Sequence, residues 1–216
     1  ARARRQEAAV TATGSDEPAT ATVLALVVPL RDVCLFPQAS LEIVVARPGT
    51  ARALEIASRC GGRVLALSQK DGDVAAPGPR DLNPVGTLAD LTVNELRSDG
   101  NNRVELDGLE RARVRTILGI DTLVAEVERI EEGDPGDEWG AAVEALARYI
   151  HAHSDLRAYL DQQRRSKDPM AWGNLACQHL PIAASARQRL LEADARERCL
   201  KISRGLDALL RKEQGA

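Results

Sequence analysis

Three arginines at alternating positions, in Arg111-Ala-Arg-Val-Arg-Thr-Ile, form the densest set of chemically capable side chains in this chain. On a strand, alternation puts Arg111, Arg113 and Arg115 on one face and Ala112 and Val114 on the other. Such a stripe suits RNA or an acidic polypeptide. The plainer alternative is a solvated face neutralised by the next strand, where Glu126 and Glu128 alternate with Ala125 and Val127. With a turn centred on Gly119-Ile120, antiparallel pairing sets Arg113 opposite Glu126 and Arg111 opposite Glu128, and neutralisation is the favoured reading.

A catalytic constellation is harder to find. The chain has no Gly-x-x-x-x-Gly-Lys-Ser/Thr to hold ATP phosphates and no Gly-x-Ser-x-Gly. Of the three histidines, His151 and His153 are two apart and point in different directions on a helix. Cys177 and His179 stand one residue apart, but structural zinc needs four ligands in paired spacing and no second pair is evident. Cys34, Cys60, Cys177 and Cys199 form no Cys-x-x-Cys, so reduced, mostly buried thiols in a cytoplasmic protein are expected. No catalytic residue, metal ligand or cofactor is assigned, and the chain as it stands is read as no enzyme.

The elements that would position any site follow from periodicity. Val23–Val28 and Leu41–Ala46 are β-rich runs separated by Pro29 and Pro37, which cannot both lie inside one central strand. Thr50 offers a helix N-cap, Ala53, Leu54 and Ala57 recur at helical spacing, and Gly61-Gly62 supplies the stop. Arg63–Ser68 reads as strand, 69–84 as a proline- and glycine-rich loop, Val85–Leu96 as strand, Ser98-Asp-Gly-Asn as a hairpin turn and Arg103–Leu106 as its return. Beyond Glu132 the pattern turns helical. Asp134 and Pro135 offer a start, with Val143, Leu146, Ala147 and Ile150 as the buried stripe. Leu156, Tyr159 and Leu160 suggest a short helix, and Asp168-Pro169 opens another that ends near His179, ahead of Pro181. Asp194 with Glu197 caps a last helix carrying Cys199, Ile202, Leu206 and Leu209.

Composition sets the outer limits. Hydrophobic residues make up 44% but aromatics only 2%, so Leu, Val, Ile and Ala must fill the interior. A net charge of −3 and a pI near 5.7 argue against non-specific phosphate binding, making nucleic acid an unfavoured partner. No apolar run approaches bilayer length, so no membrane partner is expected. Residues 1–21 are expected to form a disordered tail, 22–132 a β-rich domain and 133–216 a helical subdomain.

Four segments in order carry a resemblance: Val28-Pro-Leu-Arg-Asp-Val-Cys-Leu-Phe-Pro, Ala66-Leu-Ser-Gln-Lys-Asp, Val85-Gly-Thr-Leu-Ala-Asp and Asp107-Gly-Leu-Glu-Arg-Ala-Arg-Val. Together they resemble the amino-terminal domain of the Lon family of ATP-dependent proteases over about Thr22 to Ile130. The helical half matches in scattered places, such as His179-Leu-Pro and Asp194-Ala-Arg-Glu-Arg, and Gln38-Ala-Ser-Leu-Glu departs from the family after Phe-Pro. The resemblance implies an α+β fold, a PUA-like, mostly antiparallel β pseudobarrel with one helix followed by a helical subdomain. It also implies non-catalytic recognition of unfolded or degradation-tagged polypeptides, with other Lon subunits as further partners. Leu35, Phe36 and Pro37 are the candidate substrate contacts, against the plainer alternative that Phe36 anchors the core. An RNA-binding PUA-like module is the alternative function, and low aromatic content counts against it.

Overall fold

The computed structural model describes residues 22–95, 102–153 and 169–213. The stretch 1–21, the turn expected at Ser98-Asp-Gly-Asn and the helix expected around Leu156, Tyr159 and Leu160 lie outside the described residues. Six described strands form one mixed sheet: β1 (Thr22–Leu30), β2 (Ser40–Val45), β3 (Arg63–Ser68), β4 (Val85–Glu95), β5 (Asn102–Leu118) and β6 (Val124–Arg129). Their order is β2-β5-β4-β3-β1-β6, and a further β5–β6 pairing closes the last five of these into a barrel. Every pairing is antiparallel except β1 with β3. A parallel pair needs a crossover, which β2 and helix α1 (Pro48–Arg59) provide. The length of β5 lets it hold β2 over residues 102–107, β4 over 103–113 and β6 over 112–118.

Four described helices follow: α2 (Glu138–Ala152), α3 (Pro169–His179), α4 (Ala184–Glu192) and α5 (Ala195–Glu213). The fold is therefore α+β, as expected. Alternation divides the strands' apolar residues into two sets. Val27, Leu65, Leu88, Ala112 and Val127, one from each barrel strand, belong to one buried cluster. Val28, Val64, Ala66 and Ala89, one residue out of phase, join a larger cluster with Leu54 of α1, Leu35 and Phe36, and apolar residues of α2 to α5. Burial of both strand faces accounts for the unbroken apolar run Val64–Leu67, whereas Val23–Val28 is covered on both faces only toward its end, Leu24 being 75% exposed.

Several element boundaries differ from expectation for local reasons. Helix α1 begins at Pro48 with Arg47 as N-cap and no side-chain cap bond, so Thr50 lies in the first turn. The fixed φ of Pro48 suits a first helical position, where no amide donor is needed. Gly61 and Gly62 end the helix as expected, with Gly62 donating to the Ala57 carbonyl at 2.8 Å. Helix α2 begins at Glu138 rather than Pro135, because the Asp134 carboxylate accepts the Gly136 amide and closes a separate turn. Its buried face is Ala142, Ala145, Leu146, Tyr149 and Ile150, whereas Ala147 points to solvent. The Asp194 cap does form, accepting the Glu197 amide at 2.7 Å.

The arginine stripe keeps its alternation but not its register. Arg113 lies opposite Glu128, and Glu126 lies opposite Thr116. The expected Arg113–Glu126 and Arg111–Glu128 pairs do not form, because the connection spans 119–123 and a bulge at Arg115 shifts the ladder. Arg115 forms the ion pair with Glu128. Arg111 is not on a solvated face at all, being 2% exposed beneath the helices.

Arg111 and Arg198, the latter fully buried in α5, share the carboxylate of Glu132. Arg111 Nε donates to Glu132 Oε1 at 2.6 Å, and its Nη1 donates to the carbonyls of Leu191 and Ala193 at 2.7 Å each. Arg198 Nη1 donates to Asn174 Oδ1 at 2.7 Å, Nη2 to Glu132 Oε2 at 3.1 Å and Nε to the Leu190 carbonyl at 3.1 Å. Burial and the neighbouring Arg198 charge hold the Arg111 guanidinium below the usual arginine value, against the pull of Glu132. Removing the carboxylate would leave two cations uncompensated in a desolvated place. Glu132→Gln is expected to destabilise the chain by about 3 kcal/mol in urea unfolding. Glu42→Gln, which breaks the exposed pair with Arg103, should cost less than about 1 kcal/mol.

Candidate functional site: a cleft between β2, α1 and the β5–β6 turn

Two adjoining hollows, about 810 and 490 Å³, lie along one side of the barrel. They share Pro29, Arg47, Thr50 and Ala75. The larger is bounded by the first turn of α1, the loop 75–79 and the turn 119–123. The smaller is bounded by Leu30, Arg31 and Val33 after β1 and by Ile43, Val44 and Val45 of β2. Ile120, 90% exposed, stands in the wall of the first, and Val44, 57% exposed, in the wall of the second. Exposed aliphatic side chains beside an apolar concavity form a surface suited to contact with another molecule.

Gln69, itself buried, shapes the loop that forms one wall of this cleft. Its side-chain Nε2 donates to the carbonyls of Asp71 and Val74 at 3.1 and 2.9 Å, folding the loop that carries Ala75. Its Oε1 accepts from Arg47 Nη2 at 2.8 Å. Burial, then the nearby positive charge of Arg31, hold Arg47 below the usual arginine value. Neither Arg31 nor Arg47 has an ion-pair partner among the described residues. No described group of three or more His, Cys, Asp and Glu side chains is arranged to hold a metal ion. The cleft therefore offers a mixed wall of apolar and polar groups, with the cations Arg31, Arg47 and Arg52 and the carboxylate of Asp121.

Residues 25–207 match the family of the ATP-dependent protease La (LON) substrate-binding domain. The chain belongs to that family. It is 32% identical to Lon protease 1 of Thermus thermophilus over 194 residues, covering 86% of this chain and 24% of that protein. It is 27% identical to the Lon protease of Escherichia coli K12 over 180 residues, covering 80% and 23%. The chain thus spans about a quarter of the length of the curated relatives it matches. Among solved structures, the amino-terminal domain of a Mycobacterium avium complex Lon protease superposes with a TM-score of 0.69 at 17% identity, covering 86% of this chain and 98% of that one. A Lon amino-terminal domain protein from Xanthomonas campestris gives 0.59 at 20% identity, covering 83% and 95%. The Lon amino-terminal fold is thereby shown, and membership supports a Lon-like role in substrate recognition.

The segment proposed from sequence to touch substrate lies elsewhere. Leu35, Phe36 and Pro37 are all buried, Phe36 with no exposed surface, where barrel and helices meet. Both parts satisfy their backbone. Gln178 Oε1 of α3 accepts the Phe36 amide at 3.0 Å, and Thr87 Oγ1 of β4 donates to the Leu35 carbonyl at 2.6 Å. Gly108 lets this loop cross β5 closely, since a Cβ there would sit 2.3 Å from the Phe36 carbonyl oxygen. Phe36 is thus the anchor of the joint, and in this arrangement the three residues present no surface to a substrate. Sequence places Val44 in a β-rich run and Ile120 at a turn but assigns neither these nor Arg47 to a site, although Ile120, an aliphatic residue in a turn beside Gly119, was a usable signal.

The same joint holds thiols. Burial pushes the Cys34 thiol up, and pushes Cys177 to about 12, while Cys60 is exposed at the end of α1. A buried thiol with a raised pKa is both screened and short of thiolate. At pH 8 a thiol reagent should modify Cys60 first, with Cys34, Cys177 and Cys199 at least about a hundredfold slower until the chain unfolds. Rapid native-state labelling of more than one cysteine, read by mass spectrometry, would contradict the burial described.

Proposed function

We propose that this chain recognises unfolded or degradation-tagged polypeptides without cleaving them, holding extended apolar segments in the cleft between β2, α1 and the 119–123 turn. The observation that carries the reading is the pair of adjoining hollows flanked by exposed Val44 and Ile120. Family membership supports the substrate class, and residues 22–132 are read as the recognising part with 133–216 as its helical support. Other subunits of an ATP-dependent protease are the further partners, since several weak sites presented together hold a polypeptide better than one. The free cysteines support a cytoplasmic location. No described helix is long and apolar enough to cross a membrane.

Burial of apolar side chains drives such binding, so it depends little on salt, whereas nucleic-acid binding weakens steeply as counterions are released. Titration of labelled unfolded casein and labelled RNA at two salt concentrations separates these behaviours. Casein is expected to bind weakly and with little salt dependence. Ile120→Ser with Val44→Thr, both at exposed positions, should weaken it about tenfold, the loss of roughly 1.4 kcal/mol of apolar contact. Binding unaffected by these substitutions, or tight salt-sensitive binding of RNA alone, would overturn the proposal.

A further inference from the structure

We infer that the polypeptide enters this cleft as an added β-strand on the free edge of β2, with an acidic side chain seated between Arg31 and Arg47. The inference rests on the cleft being the recognition site, and it adds how the chain is held and which segments are preferred.

The first support is the ladder. Among the described strands β2 stands at the end of the order and pairs with β5 alone, from Ser40 opposite Asp107 to Val45 opposite Asn102. In an antiparallel pair, alternate residues turn their amide and carbonyl away from the partner strand. On β2 those groups face outward, and no described backbone hydrogen bond reaches Leu41–Val45 from any element other than β5. The residues Ile43, Val44 and Val45 on this edge line the smaller hollow, so the unpaired row opens into the cleft. Exposed edges are ordinarily blunted by charge or proline. Here Glu42 is the one charged residue on the strand, and Arg103 of β5 already engages it. An edge left open beside an apolar concavity accepts an extended segment through main-chain bonds, while side-chain pockets select which segment.

The second support is charge. Arg31 and Arg47 both line the smaller hollow, together with Ile43, Val44 and Val45 of β2. Arg47 donates to an uncharged acceptor, the Gln69 amide oxygen, and is partly desolvated. Two neighbouring cations without a carboxylate partner among the described residues favour an incoming anion, and a guanidinium fork suits a carboxylate geometrically. The preferred occupant is therefore an extended segment in which Asp or Glu alternates with aliphatic residues.

The test uses the full chain and synthetic peptides long enough to run along β2, acetylated and amidated so that no terminal charge contributes. One carries a central Glu among aliphatic and Thr residues, and its twin carries Gln. Anisotropy titration should show the Glu peptide binding about tenfold tighter at low salt. Arg31→Gln with Arg47→Gln should reduce that preference to about twofold or less, read as the ratio of the two peptides' affinities so that an equal change in both does not count. Arg31→Lys with Arg47→Lys should keep the preference for Glu, which guards against a folding defect in the first variant. N-methylation of alternate backbone amides of the peptide should abolish binding for one set and spare it for the other, as a ladder requires. Equal binding of Glu and Gln peptides, or equal tolerance of both methylated sets, would overturn the inference. So would a β2-mediated dimer in sedimentation that the Glu peptide fails to dissociate. If Ile120→Ser with Val44→Thr weakens both peptides equally and no Glu preference exists, only this inference fails. If that variant weakens neither, the cleft itself is misassigned.

Discussion

Two guanidinium groups, on Arg111 of β5 and Arg198 of α5, converge on one carboxylate, and the helical layer is joined to the barrel through them. Every donor they direct inward meets a carbonyl at the α4–α5 junction, Asn174 or Glu132. The arrangement is demanding because both arginines are desolvated, and the attraction to Glu132 must offset that loss. Glu132, whose side chain is 30% exposed, arrives from the segment that follows β6. The carboxylate that satisfies the clamp therefore also fixes where the chain leaves the sheet.

The consequences spread through the joint. With α3 and α4 held against β4 and β5, Gln178 reaches the Phe36 amide and Gln188 Nε2 reaches the Val85 carbonyl at 2.9 Å. The loop between β1 and β2 is thereby pinned from both sides. That loop decides where β2 starts, and β2 supplies one wall of the cleft. Helices α2 to α5 thus help to set the proposed recognition surface without lining it. An apolar interface alone could slide, whereas directed hydrogen bonds to buried groups specify one seating.

Much of this architecture was legible from sequence. Short β-rich runs located the strands, Gly61-Gly62 and Asp194 marked helix ends, and the four spaced segments around Phe36, Ser68, Thr87 and Gly108 indicated the Lon amino-terminal fold. These features are local, or are carried by residues held together at the joint. What sequence did not reveal was set by tertiary contact. The outward face of β5 is solvated at Arg113 and Arg115 but covered at Arg111, and strand periodicity is the same in both cases. A bulge displaced the β5–β6 register, which no propensity records. Helix α4 carried no cap or regular apolar stripe, since Gln188 occupies its buried face. Arg198, lying on the apolar stripe of α5 between Ala195 and Ile202, was a further clue in the sequence, because a charge at such a position demands a buried partner. The cleft was beyond sequence reading, since its walls come from four separated segments.

The central claim is that polypeptide is held along β2, the start of α1 and the 119–123 turn. Hydrogen exchange of backbone amides, measured with and without saturating unfolded polypeptide, tests it most directly. The account predicts added protection in residues 41–50 and 118–123, with α2 to α5 unchanged. Protection confined to the helices, or absent from β2 while binding is demonstrably saturated, would contradict it.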